Sequence, residues 1–184
     1  SEKSPQASLL AHGLHYGTGV FEGIRCYPTK RGPAIFRLGA HMDRFSAGAQ
    51  ALSMDVDTDA MGQAALELLR RNDQQSAYIR PVSYYDRGGL SLDVDQLVSR
   101  SVVATLPWNS HLGDAAQAAG VKLRTGSVRR TKADAVPPLK LCGNYVNSIL
   151  AKLEATRADY DEALFTDEHG MVCEATGENV FMVN

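Results

Sequence analysis

The chain has 184 residues, 44% hydrophobic and 22% charged, the balance of an ordinary globular protein with length for one domain or two small ones. Its 19 Lys and Arg against 21 Asp and Glu leave a formal net charge of −2, which excludes a strongly electrostatic nucleic-acid binder. No apolar run approaches the roughly 20 residues of a membrane-spanning helix; the opening SEKSPQASLLAHG lacks the basic start and apolar stretch of a signal peptide, and Cys26, Cys142 and Cys173 are an odd number without metal-like spacing, so a reducing, cytoplasmic setting is expected.

Residues 20–27, VFEGIRCY, are rich in β-branched and aromatic types and predict a strand, with a turn at 28–32 and a hairpin partner at 34–38, AIFRL. From 40 to 52 the residues Met42, Phe45, Ala49 and Leu52 fall at helical spacing. A second helix starts near Thr58, with Met61, Ala64, Ala65, Leu68 and Leu69 on one face and Thr58 or Asp59 as its cap. Strands are expected at 77–85 and 98–106, separated by a loop at RGGLS. PWNSHLG breaks the pattern, and 107–119 is expected to be a linker. A new strand starts at Val121, and the basic, proline-containing stretch 129–138 reads as an extended loop. At 144–157 Val146, Ile149, Leu150 and Leu153 mark the clearest helix. Short strands follow at 163–166, 172–175 and 180–183, with turns at DEHG and TGEN. The sum is an α/β (α+β) chain with more antiparallel hairpins than βαβ units. It divides into a small domain at 1–106, with an antiparallel sheet and two helices, and the first part of a larger domain at 120–184 that stops inside a strand-like run.

Several residues are candidates for chemistry. Lys140, in PPLKLCGNY, lies between Leu139 and Leu141 just before a helix; partial desolvation favours the neutral, nucleophilic amine, while the ordinary alternative is a stem along apolar surface with its head in water. Glu174 follows an apolar strand and alone reads as a solvated strand-end acid. Arg44, in HMDRF, alone reads as an exposed helix arginine. Tyr78 and Arg80 share one face of their strand, suited to gripping a carboxylate or to pairing across a wet sheet face. His12 and His15 are three apart without a third ligand nearby, so no metal site is expected, and GTGVFEG lacks the strand–turn–helix order of a dinucleotide fingerprint.

Five segments taken in order, HGLHYGTGVFEGIRCY, HMDRF, AYIRP, KLCGNYVNSILAKLEA and CEATGENVF, with Lys140 placed 34 residues before Glu174, resemble the class IV pyridoxal-phosphate aminotransferases, and among them the branched-chain group. The resemblance runs from about residue 12 to 184. It implies pyridoxal 5′-phosphate as cofactor, with Lys140 as the lysine that binds it covalently and carries the catalytic proton. It implies Glu174 facing the pyridine nitrogen, Tyr145 on the ring hydroxyl and Arg44 on the phosphate. Tyr16, Phe21 and Tyr78 match aromatic residues of the family's substrate pocket, and Arg25 and Arg80 match arginines associated with substrate carboxylates or with orienting that pocket.

The implied reaction moves an amino group between branched-chain L-amino acids and 2-oxoglutarate, in an enzyme at least homodimeric. His111 stands where the branched-chain enzymes often carry a tyrosine lining the aliphatic pocket, and this smaller, more polar residue bears on substrate range. D-amino acid or R-selective amine aminotransferases, aminodeoxychorismate lyases and a non-catalytic fragment of such an enzyme are the alternatives. Family members run to roughly 300 residues, a usual size for two linked domains, so the chain is expected to be C-terminally incomplete.

Overall fold

The computed structural model describes residues 6–108, 119–132 and 137–183. They divide into two units, one of 6–108 with 139–143, the other of 119–132, 137–138 and 144–183.

The first unit is built on a long strand, β4 (Ala77–Arg87). Its burial alternates: Ala77, Ile79, Pro81 and Ser83 are buried, while Tyr78, Arg80, Val82 and Tyr84 are half-buried on the other face. One edge of β4 pairs antiparallel with β5 (Val98–Pro107). The other edge carries β1 (Gly19–Phe21) and β2 (Ile24–Thr29) end to end, Phe21 opposite Val82 and Ile24 opposite Ile79. The register is the same on both sides of the break, so 20–27 runs as one path along β4, as the sequence predicts, but not as one ladder. Pro81 supplies the cause. Glu22 donates its backbone N–H to the Pro81 carbonyl at 3.0 Å; the return bond would need a Pro81 N–H, which proline lacks.

β3 (Gly32–Ile35) pairs with β2 and is shorter and earlier than the expected 34–38. Arg37 adopts a φ of 49° and turns the chain into α2 (Leu38–Ala51), which follows the short α1 (His12–Tyr16) and begins before residue 40. α3 (Thr58–Arg71) is capped by Asp57, whose carboxylate accepts from Ala60 N at 2.8 Å, and not by Thr58 or Asp59. The N-cap must stand outside the helix in extended backbone, and Asp57 does so with φ −79° and ψ 92°. Met42, Phe45, Ala49, Met61, Ala65 and Leu69 pack from these helices onto Val20, Ile24, Cys26, Ala77 and Ile79. Phe45 is fully buried, a contribution of about 2–3 kcal/mol. A Cβ on Gly48 would stand 2.5 Å from Val20 Cγ2, so glycine allows α2 to lie this close to β1.

In the second unit β6 (Leu123–Thr125) pairs parallel with β7 (Glu162–Thr166), which pairs antiparallel with β8 (Val172–Ala175). The helix between β6 and β7, α4 (Tyr145–Arg157), packs by Ala151 and Ala155 against Ala163 and Phe165. Among the described residues Val146, Ile149, Leu150 and Leu153, whose spacing announces the helix, lie on its other side and are 58, 57, 52 and 43% exposed. Lys152 on α4 reaches the buried Glu162 at 2.6 Å, and Thr176 donates to the same carboxylate at 2.6 Å. The strand expected from Val121 begins at Leu123, and 180–183, expected as a strand, joins no ladder among the described residues. Most of 107–119, and His111 with it, lies outside the described residues, although Pro107 itself closes β5. No helix among the described residues is long and apolar enough to cross a membrane, and none of their His, Cys, Asp and Glu side chains cluster as a metal site.

Candidate functional site

Lys140 is held on the sheet of the first unit. Residues 139–143 run beside β1, on the edge that β4 leaves open. Phe21 N donates to Lys140 O at 3.2 Å, Val20 and Leu141 form an antiparallel bridge, and Gly143 N donates to Gly17 O at 3.0 Å. The side chains alternate as in a strand. Leu141 packs with the helix-side core, while the Lys140 ammonium lies 5.4 Å from the Phe21 ring centroid. Leu141, one of the two apolar neighbours read from sequence, thus anchors the segment with the Lys140 side chain on the opposite side.

Phe21 is shared. The Arg80 guanidinium stacks on the same ring at 4.5 Å and donates to the Tyr78 hydroxyl at 2.6 Å. Arg80 Nε is buried with no hydrogen-bond partner among the described residues, which is costly for a cationic donor and marks a place where an acceptor would be favourable. Tyr78 in turn lies 5.2 Å from the Trp108 ring, and in register it faces Arg25, whose guanidinium stacks on Tyr27 at 5.1 Å. Phe21, Tyr78, Arg80 and Lys140 are therefore brought together. Tyr16 has its own contacts: its hydroxyl donates to Leu90 O at 3.2 Å and its ring lies 4.5 Å from His12. His12 is a buried structural histidine. Its Nε2 donates to the Ser91 carbonyl at 2.9 Å and its Nδ1 meets Thr18 Oγ1 at 2.7 Å.

Arg44 lies on the helix side of the sheet. Its Nε and Nη2 donate to the two carboxylate oxygens of Glu22, the latter at 2.8 Å, and His41 Nδ1 meets Glu22 Oε2 at 2.8 Å. Burial pushes the Glu22 carboxyl up, but the hydrogen bonds from Arg44 and His41 outweigh it and hold the group below its ordinary value. Cys142 behaves oppositely. Burial pushes its thiol up against the pull of Arg80, so it stays protonated near neutral pH.

In the second unit Tyr145 opens α4 and is half-buried. Glu174, on β8, pairs with Arg130, and Asn147 on α4 accepts from Thr131 N at 3.3 Å and donates to Arg129 O at 3.0 Å, which knits the loop to the helix. Arg130, Glu174, Asn144 and Cys173 line a cleft of about 290 Å³ that also holds Lys132 and Pro138. Sequence reading missed Glu22, Trp108 and Arg130. Glu22 sits inside a motif segment and Arg130 in a basic loop, and in both cases the partner is distant in the chain.

The model of the amino-transferase class IV family matches residues 19–184. A branched-chain-amino-acid aminotransferase of Pseudomonas aeruginosa is 39% identical over 178 residues, covering 95% of this chain and 58% of that protein. The crystal structure of the Escherichia coli branched-chain amino acid aminotransferase superposes with a TM-score of 0.87 at 33% identity, over 94% of this chain and 58% of that one. A T.th. branched-chain amino acid aminotransferase complexed with N-(5′-phosphopyridoxyl)-L-glutamate gives a TM-score of 0.83 at 42% identity, over 96% and 58%. The chain thus spans a little under three fifths of the length of these relatives.

Proposed function

The chain belongs to the class IV aminotransferases, and from that membership we propose that its protein transfers an amino group between branched-chain L-amino acids and 2-oxoglutarate with pyridoxal 5′-phosphate as cofactor. The observation that carries the reading is Lys140, its backbone tied to Phe21 and its ammonium over the Phe21 ring beside Arg80. The phosphopyridoxyl-L-glutamate held by the T.th. enzyme supports both the cofactor and the glutamate half of the exchange. The chemistry of the groups suits that cofactor: in the first unit a restrained amine and a guanidinium suited to a phosphate, and in the second unit a carboxylate suited to a ring nitrogen.

When bound, the cofactor supplies an aldehyde for the amino group and a protonated ring that draws electrons from the substrate Cα. Lys140 would be the amine that binds the cofactor's aldehyde, and as a free amine it would serve as the acid/base that moves the proton of the substrate Cα. Glu174, its carboxylate held by Arg130, would be the group that keeps the ring nitrogen protonated. Tyr145 would donate to the ring hydroxyl oxygen, and Arg44 would hold the phosphate. Arg25 and Arg80 take the substrate carboxylates; the buried Nε of Arg80 is the donor that such an acceptor would satisfy. Phe21, Tyr16 and Tyr78 surround the aliphatic side chain and exclude water.

The proposed division keeps 1–106 as the small domain, 107–119 as the linker and 120–184 as the first part of the cofactor domain, with 139–143 clustering with the first unit. A homodimer in the cytoplasm belongs to the same proposal and rests on the family resemblance. The test offers the full-length protein L-leucine, D-alanine and aminodeoxychorismate in turn with 2-oxoglutarate. L-leucine is expected to yield L-glutamate and its 2-oxo acid; turnover of D-alanine or aminodeoxychorismate with none of L-leucine would replace this reading by one of its relatives.

A further inference from the structure

We propose that Glu22 is the positioning residue for Arg44: its buried carboxylate sets the direction in which the guanidinium is presented to an anion. The inference rests on the reading of Arg44 as the holder of the cofactor phosphate and adds what aims that arginine.

Glu22 is fully buried on the helix-facing side of the sheet, at the gap between β1 and β2. A carboxylate there is unfavourable unless its oxygens are met by donors. Both are. Arg44 takes each oxygen with a different nitrogen, and His41, one turn earlier on α2, takes Oε2 as well. The Arg44 side chain is 49% exposed, so the buried carboxylate grips a guanidinium that reaches the surface. Positive charge alone does not explain the arrangement, because a carboxylate beside Arg44 weakens the local positive field. Direction does: a planar fork gripped along one side points its plane one way, and bidentate recognition of a phosphate depends on that plane.

Glu22 is itself tied into the sheet. Its N–H donates to Pro81 O at 3.0 Å, next to Arg80, while the preceding Phe21 donates to Lys140 O at 3.2 Å. The residues that aim Arg44 and tether Lys140 are thus neighbours in one strand path, with no flexible link between them.

The test uses the full-length protein freed of cofactor, with Glu22→Gln, Arg44→Lys, Arg44→Ala and the double variant Glu22→Gln/Arg44→Ala. Each is titrated at equilibrium with pyridoxal 5′-phosphate and with pyridoxal, which lacks the phosphate. Glu22→Gln keeps the shape but turns an amide N–H₂ toward Arg44 or His41 donors. It should weaken pyridoxal phosphate by about tenfold or more, the scale of a lost charge-assisted bond, and leave pyridoxal unchanged. Arg44→Lys, which keeps charge without the fork, should fall nearly as far as Arg44→Ala, and the double variant should bind no more weakly than Arg44→Ala. Equal weakening of both ligands by Glu22→Gln would make Glu22 a general support of the fold and overturn the proposal. So would wild-type affinity in Glu22→Gln while Arg44→Ala loses it, or wild-type affinity in Arg44→Lys, an arm that decides even if Glu22→Gln fails to fold. Wild-type affinity in Arg44→Ala would instead remove the Arg44 reading itself, and this inference with it.

Discussion

Glu174 arrives at its place with a partner that no local pattern announces. Arg130 is 44 residues away in the chain, and Arg44 is 22 from Glu22. Such pairs depend on the register between elements, so the sequence shows the members and not the pairing. Lys140 was legible as an amine between apolar neighbours, but its role came from the family resemblance. Under the proposed function Glu174→Gln should slow the L-leucine half-reaction by on the order of 10²-fold, the scale of one electrostatic group at an active site, with cofactor binding retained. Stopped-flow absorbance decides it; wild-type rates would return Glu174 to a strand-end acid held by Arg130. Glu162 gives a pH prediction. Burial pushes its carboxyl up, but the bonds from Lys152, Thr176 and Ala163 N outweigh it and hold the group below its ordinary value. A depressed carboxyl contributes stability that is present above the unfolded pKa, about 4.3 for Glu, and lost as pH falls through the folded value. Thermal unfolding followed from pH 7 downward should show that loss below about pH 4–5, and Glu162→Gln should be less stable at pH 7 with a flatter acid slope. Parallel slopes for the two proteins would contradict this account of Glu162.

Elements proved easier to read than their edges. The strand at 20–27 is present as one path, yet Pro81 on the partner strand divides its ladder. The helix at 144–157 is present, yet its packing side is alanine, because a helix whose small residues face a sheet can approach it closely. The lysine segment depends on another close approach. Gly17 has φ 68°, and a Cβ there would lie 2.7 Å from Gly143 Cα. Gly17→Ala therefore meets backbone strain of roughly 1 kcal/mol and must displace 139–143. The full-length variant is expected to lose thermal stability and to take up pyridoxal phosphate on Lys140 at least about tenfold more slowly, the factor that a barrier increase of roughly 1.4 kcal/mol produces. Gly39→Ala, on α2 with nothing within 4 Å of its added Cβ, should match or exceed the wild type in stability. Equal behaviour of the two variants would mean that the Gly17 contact does not hold the segment.

For the whole molecule, composition excluded classes and the ordered segments supplied the family, while the way the chain is shared between units was not legible. Residues 139–143 cluster with the first unit although they follow 119–132 of the second, and nothing in PPLKLCGN signals that return. Its cause is the bonding of Phe21, Val20 and Gly17 to Lys140, Leu141 and Gly143, a long-range pairing that only the folded chain reveals. Under the proposed function this pairing presents Lys140 as the covalent lysine of a class IV aminotransferase. The full-length protein, incubated with pyridoxal 5′-phosphate, reduced with borohydride, digested and mapped by mass spectrometry, tests it most directly. A single reduced phosphopyridoxyl adduct on Lys140, absent from Lys140→Ala, is the result predicted; an adduct on Lys122, Lys132 or Lys152 with Lys140 unmodified would contradict it.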